Sequence, residues 1–275
     1  MKFLMRTILS VLSLPVFSRL WGRVVRVRHP RFLVKRIIEV YRKSYAIDMD
    51  DYDGETGDYQ SLADFFVRKL DPGKRPLVPV ENAIVSPADG LLVELETIYE
   101  DKATQIKGKY YSISRLLGVD LDFSAGLHVA VIYLSPSNYH RYHYPVSGKI
   151  ERYLHAGVRL FPVNSLGLST VNSLFIRNER IVTEMIVNGV PIYVTAVGAT
   201  FVGSIKMEFI DGKVPPAHKK GNQWHPVNLE VRQLEEMGRF DMGSTIVLVL
   251  PGKMAEPITS LKGSPVRVGQ PIFRL

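Results

Sequence analysis

The sequence predicts an α+β, mainly β fold: an antiparallel β-barrel or sandwich-like domain preceded by N-terminal amphipathic helices. Three observations carry this. Apolar runs at 91–96, 128–134, 181–187, 191–197 and 245–250 are rich in Val, Ile, Leu and Tyr and bounded by Gly, Pro and Asn, as strands are. Asn188-Gly189 separates two of those runs, a strong hairpin signal. Strand and helix patterns do not alternate along the chain, which argues against Rossmann and TIM-barrel architectures. At 275 residues, 46% apolar and 23% charged, the chain has the length and composition of a folded protein with a real core. With no cysteine, disulfides, thiolate nucleophiles, iron–sulfur clusters and Cys-ligated zinc are excluded together.

Residues 1–47 carry eleven Lys or Arg against one acid, Glu39, whereas residues 48–275 hold 24 bases and 26 acids. The basicity therefore belongs to the N-terminal part and points to an anionic surface. The longest uncharged run, 7–18, contains Pro15 and falls short of the roughly 20 apolar residues a membrane span needs. It is followed by no small-x-small site, which argues against a secretory signal. From Pro30, a good helix starter, Leu33, Val34, Ile37, Ile38, Tyr41 and Tyr45 recur at helical spacing, opposite Lys35, Arg36, Arg42 and Lys43. Such a helix either packs on its own domain or lies in the headgroup layer of a membrane. Trp21 and the cluster Arg19, Arg23, Arg26 and Arg28 favour the membrane. Trp21, Arg23, Arg26, Lys35 and Arg36 are the candidate membrane-binding residues. Long apolar stripes beside the charges make nucleic acid the poorer partner.

An acidic linker, 48–60, leads to a short helix with Leu62, Phe65, Phe66 and Leu70 on one face, Ser61 or Asp58 as its cap, and Asp71-Pro72-Gly73 as its stop. The expected division is thus 1–47, basic helices, and 48–275, the β-rich domain.

Four segments look chemical. Asp89 sits in VSPADG (85–90), a tight turn before a strand; taken alone, an ordinary Asp-Gly turn is the better explanation. His140 and His143 lie between Pro136 and Pro145. On a regular strand they would face opposite sides, but an irregular segment would let both reach one pocket. In 236–245, Gly243 would put Ser244 on a strained, exposed turn before an apolar strand. VGATFVGS (197–204) reads as close packing. An Asp, a His and a Ser form a hydrolase triad, yet the Gly-x-Ser-x-Gly elbow is absent. HxxH with a carboxylate is a conceivable metal set, without the HExxH helix that would support it.

The motifs FFVRKL (65–70), PGKRP (72–76), SPADG (86–90), IKG (106–108), YHRYH (139–143), FPVN (161–164), NER (178–180), VGAT (197–200) and GST (243–245) follow in an order that closely resembles the bacterial membrane-associated phosphatidylserine decarboxylases. Met242 stands where that family usually has Leu, a swap of similar volume. The resemblance implies decarboxylation of phosphatidylserine to phosphatidylethanolamine and CO2. The cofactor would be a pyruvoyl group made from Ser244 by self-cleavage after Gly243, giving chains 1–243 and 244–275. It would react with the substrate amine as a Schiff base; neither a metal nor pyridoxal phosphate is implied. By resemblance His143 takes the Ser244 proton, Asp89 orients His143, and His140 is the candidate general acid. Backbone near Val163 would hold the headgroup. A homodimer, peripheral on the cytoplasmic face of the bacterial cell membrane, is implied as well. The alternative is a lipid-binding relative of the same fold without catalysis.

Overall fold

The computed structural model describes residues 13–106, 108–200, 205–210, 223–241 and 244–275. Residues 1–12, Met242 and Gly243 lie outside them. Helices α1 (Pro15–Val25) and α2 (Arg31–Ser44) precede the short α3 (Leu62–Phe66). Strands β1 (Ala83–Val85), β2 (Gly90–Ile98), β3 (Ala103–Ile106) and β4 (Lys109–Tyr111) lead to α4 (Ile113–Leu117). After β5 (Leu127–Leu134), β6 (Arg141–His143) and β7 (Gly148–Ala156) come α5 (Ser165–Thr170) and α6 (Leu174–Arg177). Then follow β8 (Arg180–Val187), β9 (Val190–Gly198), β10 (Ile205–Met207), β11 (Trp224–Val231), β12 (Glu236–Phe240) and β13 (Ser244–Pro251). Strands β14 (Glu256–Pro257), β15 (Pro265–Val266) and β16 (Pro271–Arg274) complete the chain.

All five expected strands form, and they assemble into one antiparallel sheet of order β11-β7-β8-β9-β13-β5-β2-β15. Asn188 and Gly189 both take positive φ, 51° and 79°, the conformation of a type I′ turn. Along β5 and β13 alternate residues enter different cores. Ala130, Ile132, Ile246 and Leu248 join one cluster, and Val129, Val131, Val247 and Val249 the other. Burial on both faces explains why these strands read as unbroken apolar runs. Among the described residues the sheet is open, with β11 and β15 at its edges. The mainly β, antiparallel character of the expectation is present; closure into a barrel is not.

Ser61 caps α3, its hydroxyl accepting from the Asp64 amide at 3.1 Å. The helix ends at Phe66 rather than near Leu70, because the chain beyond it is drawn into pairing with the linker. Tyr52 bridges Leu70, and the Asp53 and Asp71 amides donate to Lys69 O and Asp51 O, both at 3.0 Å. In α2, which begins one residue after Pro30, Val34 and Ile38 are buried with Ile47, Tyr59 and Phe65. The same helix exposes Phe32, Leu33, Ile37 and Val40. Both readings of this helix therefore have a face of their own.

Candidate active site

The N-terminal ends of β2 and β13 meet at one end of the sheet, on either side of β5. Leu91 pairs with Tyr133 and Ser244 with Leu134, while Ser244 also pairs with Gly198 of β9. Asp89 immediately precedes β2. A Cβ at Gly90 would fall 2.5 Å from the Tyr133 carbonyl oxygen and 2.8 Å from Ile132 Cγ2, so the turn carrying Asp89 sits against β5 only because residue 90 is glycine. Beyond Leu134 the chain runs directly into the His140–His143 segment. That segment is pinned by the strand leading to Ser244: Glu236 is in register with His143, and the Phe240 amide donates to His140 O at 3.0 Å.

Ser244 differs from its expected setting. It is fully buried as the first residue of a strand paired on both sides, not exposed on a turn. Among the described residues its Oγ has no hydrogen-bond partner, a condition it shares with the buried hydroxyls of Tyr111, Thr183, Thr195 and Thr245; what sets it apart is its place at the start of β13, directly after Gly243. The FPVN, NER and VGAT motifs secure its neighbour. The Asn178 side-chain amide donates to Phe161 O and Gly198 O, both at 2.8 Å, and its Oδ1 accepts from the Phe161 amide at 2.9 Å.

Asp89 is gripped by Arg75, whose Nη1 and Nη2 donate to its two oxygens at 2.7 and 2.6 Å. Oδ1 also accepts from the Val268 amide at 2.8 Å. Asp89 is not among the hydrogen-bond partners of the His143 ring. His143 Nδ1 donates to Leu234 O at 2.7 Å, and Nε2 accepts from the Tyr139 hydroxyl at 3.0 Å. The Asp89 turn and the His143 strand are instead joined through backbone, the His143 amide donating to Pro87 O at 2.8 Å. Burial holds His143 below the ordinary imidazole range, against the Leu234 carbonyl and the charges of Glu236 and Asp89.

His140 is enclosed separately. Its ring lies on Phe66, centroids 3.9 Å apart, and Nδ1 donates to Asn138 O at 2.8 Å. Nε2 is buried and has no partner among the described residues. Burial first, then the Arg68 charge, push the ring down to about 3, so it is neutral at pH 7. In this state Nε2 is a bare acceptor, and the general-acid role expected of His140 needs the ring to gain a proton first. Phe66 also floors an apolar cavity of about 860 Å³ with Trp21, Ile37, Val40, Tyr41 and Tyr45, and Arg36 lies among its lining residues. Helices α1 and α2 thus reach within one ring of His140.

Val163 is buried among Phe161, Leu174 and Phe175. Arg26, expected at the membrane, is ion-paired with Asp241; Arg23, Lys35 and Arg36 are exposed. Sequence reasoning missed Arg68, Arg75 and Tyr139, although all three stand inside the motifs it singled out. Among the described residues no three His, Asp or Glu side chains gather as a metal site would require.

The sequence profile of the phosphatidylserine decarboxylase family matches residues 62–274. The phosphatidylserine decarboxylase proenzyme of Brevibacillus brevis is 36% identical over 261 residues, covering 92% of this chain and 91% of that protein. The proenzyme of the same description from Salmonella paratyphi B is 35% identical over 264 residues, covering 92% and 81%. Matched over most of its length by the profile and by these relatives, the chain is an enzyme that belongs to the phosphatidylserine decarboxylase family.

Proposed function

We propose that this chain is a proenzyme that cleaves itself between Gly243 and Ser244, and that the product decarboxylates phosphatidylserine to phosphatidylethanolamine and CO2. The observation that carries the reading is the place of Ser244: its hydroxyl is fully buried, has no partner among the described residues, and follows Gly243 at the start of β13. A serine meant only for packing would be cheaper as alanine there. Its hydroxyl attacks the preceding carbonyl, and the peptide bond becomes an ester. A base then takes the Cα proton of residue 244 as its Cβ–O bond breaks and the Gly243 carboxylate leaves; the enamine so formed shifts to the imine, which takes up water and releases ammonia, leaving a pyruvoyl group on residue 244.

His143 serves as base for this step. With Nδ1 committed to Leu234 O, its basic nitrogen is Nε2, and Tyr139 must turn its hydroxyl away to release that lone pair. Asp89 supports the imidazolium through space and through the shared backbone. The buried position of the Ser244 Oγ fits a small uncharged carbonyl group, since it already houses one oxygen. That group supplies an electron sink for the pair left behind as CO2 departs. His140 is the group that returns a proton to the carbon that lost CO2, once the arriving anionic substrate has raised the proton affinity of its bare Nε2. The cavity over Phe66 takes an acyl chain, and the exposed face of α2, with Lys35 and Arg36, holds the protein peripherally on an anionic leaflet, the cytoplasmic face of a bacterial membrane. No described helix is long and apolar enough to cross it.

Intact mass under denaturing conditions tests the reading. Two species dividing after residue 243, the smaller lacking an amine and carrying a carbonyl, are expected. A single full-length chain from wild-type protein, with Ser244→Ala giving the same mass pattern, refutes self-processing and favours a lipid-binding relative without catalysis.

A further inference from the structure

Arg68 is one of the most deeply buried side chains in the protein, 1% exposed. Among the described residues its hydrogen bonds go only to neutral oxygens. Nη2 donates to Ser137 O at 2.7 Å, Asn138 O at 3.1 Å and the Tyr52 hydroxyl at 3.2 Å, and Nη1 to Phe65 O at 3.5 Å. Nε is buried and unpartnered. The guanidinium is sandwiched by the Tyr52 and Phe65 rings, 4.2 and 5.2 Å from their centroids. A cation buried without a carboxylate is costly, and tying down two carbonyls does not by itself require one.

The carbonyl it holds is the one that holds His140. Asn138 O accepts from Arg68 Nη2 and from His140 Nδ1 at once. Because a carbonyl only accepts, Nδ1 carries the hydrogen and Nε2 keeps its lone pair. We propose that Arg68 is a positioning residue for His140: by sharing the Asn138 carbonyl it fixes the Nδ1–H tautomer and keeps Nε2 a bare, uncharged acceptor in the interior. Other charged groups nearby make no ion pair with Arg68 among the described residues: Asp53, Asp58 and Asp64 line a cleft with it and with Arg141, and the Asp58 and Asp64 carboxylates accept from the Glu55 and Gln60 amides. On His140's own segment the Arg141 guanidinium is taken by Glu236, at 2.7 and 2.8 Å, and by Val67 O. From α2 the neighbour is Tyr41, edge-on to Phe66, whose phenol burial pushes up. Arg68 is left as the cation that opposes a charge on the imidazole, in the same direction as burial. The use of Nε2 in decarboxylation rests on the function proposed above; its tautomer and charge do not.

The test is nitrogen-15 NMR of histidine side chains in the full-length protein, with the His140 signals assigned by their loss in His140→Gln. In wild type, His140 is expected neutral with hydrogen on Nδ1 from pH 7 to pH 5. Arg68→Met should raise its proton affinity at least tenfold or mix the tautomers, while Arg68→Lys, which keeps the charge, should leave it neutral. A charged His140 at pH 7, or hydrogen on Nε2, in wild type or in Arg68→Lys overturns the proposal. So does an unchanged His140 in folded Arg68→Met, which would reduce Arg68 to a structural staple. If Arg68→Met fails to fold, wild type and Arg68→Lys decide alone. None of these signals depends on chain cleavage or CO2 release, so failure of the functional reading shows separately as an uncleaved or inactive wild-type chain.

Discussion

Replacing Arg75 by Met should both destabilise the protein and slow its self-cleavage. The Arg75–Asp89 pair is nearly dry, its side chains 10% and 11% exposed, and its bidentate geometry is the strongest form of ion pair. Removing one partner of such a pair costs about 3–5 kcal/mol, because the survivor is left charged and buried. Here Asp89 retains the Val268 amide, which places the loss at the lower end, ~3 kcal/mol. At roughly 2–4 °C per kcal/mol for a chain of this size, the melting temperature should fall by about 6–12 °C. Arg75→Lys keeps the charge and loses the fork, so its loss should be about half as large. Circular dichroism on heating gives stability, and a denaturing gel over time gives the rate of division into two chains. Asp89→Asn completes a double-mutant cycle. If Arg75→Met melts within a degree of wild type, or if Asp89→Asn costs as much in the Arg75→Met background as in wild type, the pair is not holding the turn and the argument fails.

His140 gives a pH test. Between about 3 and its ordinary value of 6.5 it is protonated when unfolded but not when folded, so stability must fall as pH drops through that window. At pH 5 wild type should have lost ~2 kcal/mol more than His140→Gln, relative to each at pH 7.5; parallel urea-denaturation profiles would contradict this. In turnover, His140→Gln should divide into two chains normally and release CO2 at least ~100-fold more slowly, measured as labelled CO2 from carboxyl-labelled lipid. Gly90→Ala must push its methyl toward the Tyr133 carbonyl, and a loss of about 1–3 kcal/mol or more is expected by thermal melting; a silent substitution would mean the Asp89 turn is looser than described. Phe32, 77% exposed on α2, should contribute about 1.5 kcal/mol to membrane binding, so Phe32→Ser should bind phosphatidylserine vesicles roughly tenfold more weakly in flotation. Undiminished flotation would remove that face from the membrane.

The strands were legible because burial on both faces leaves unbroken Val, Ile and Leu, and because Asn188-Gly189 fixes one hairpin register. Strands such as β7 and β11 were not, since their polar and apolar residues alternate irregularly around bulges at Ile150/Arg152 and Pro226/Leu229. At the site, the identities of Asp89, His140, His143 and Ser244 could be picked out by motif, but their partners could not. Arg75 is 14 residues from Asp89, and Leu234 is 91 from His143. No local pattern announces a contact made by a carbonyl oxygen. Ser244 was misjudged because a Gly-Ser-Thr string looks like a turn, whereas pairing to both β5 and β9 makes it interior.

The N-terminal helices are less separable from the chemistry than their charge suggests. Val34 and Ile38 of α2 cover Phe65, the next residue Phe66 carries the ring of His140, and Arg68 two residues on holds the Asn138 carbonyl that His140 shares. Arg26, just beyond α1, is paired with Asp241, three residues before Ser244. Removing residues 1–47 would therefore uncover the wall behind His140 and take Arg26 from Asp241 as well as remove the proposed membrane contact. Point changes on the exposed face of α2, such as Phe32→Ser, separate the two roles, because Phe32 is not among the residues that cover Phe65. If α2 faces lipid as proposed, an acyl chain entering the cavity over Phe66 would press directly on the ring against which His140 lies.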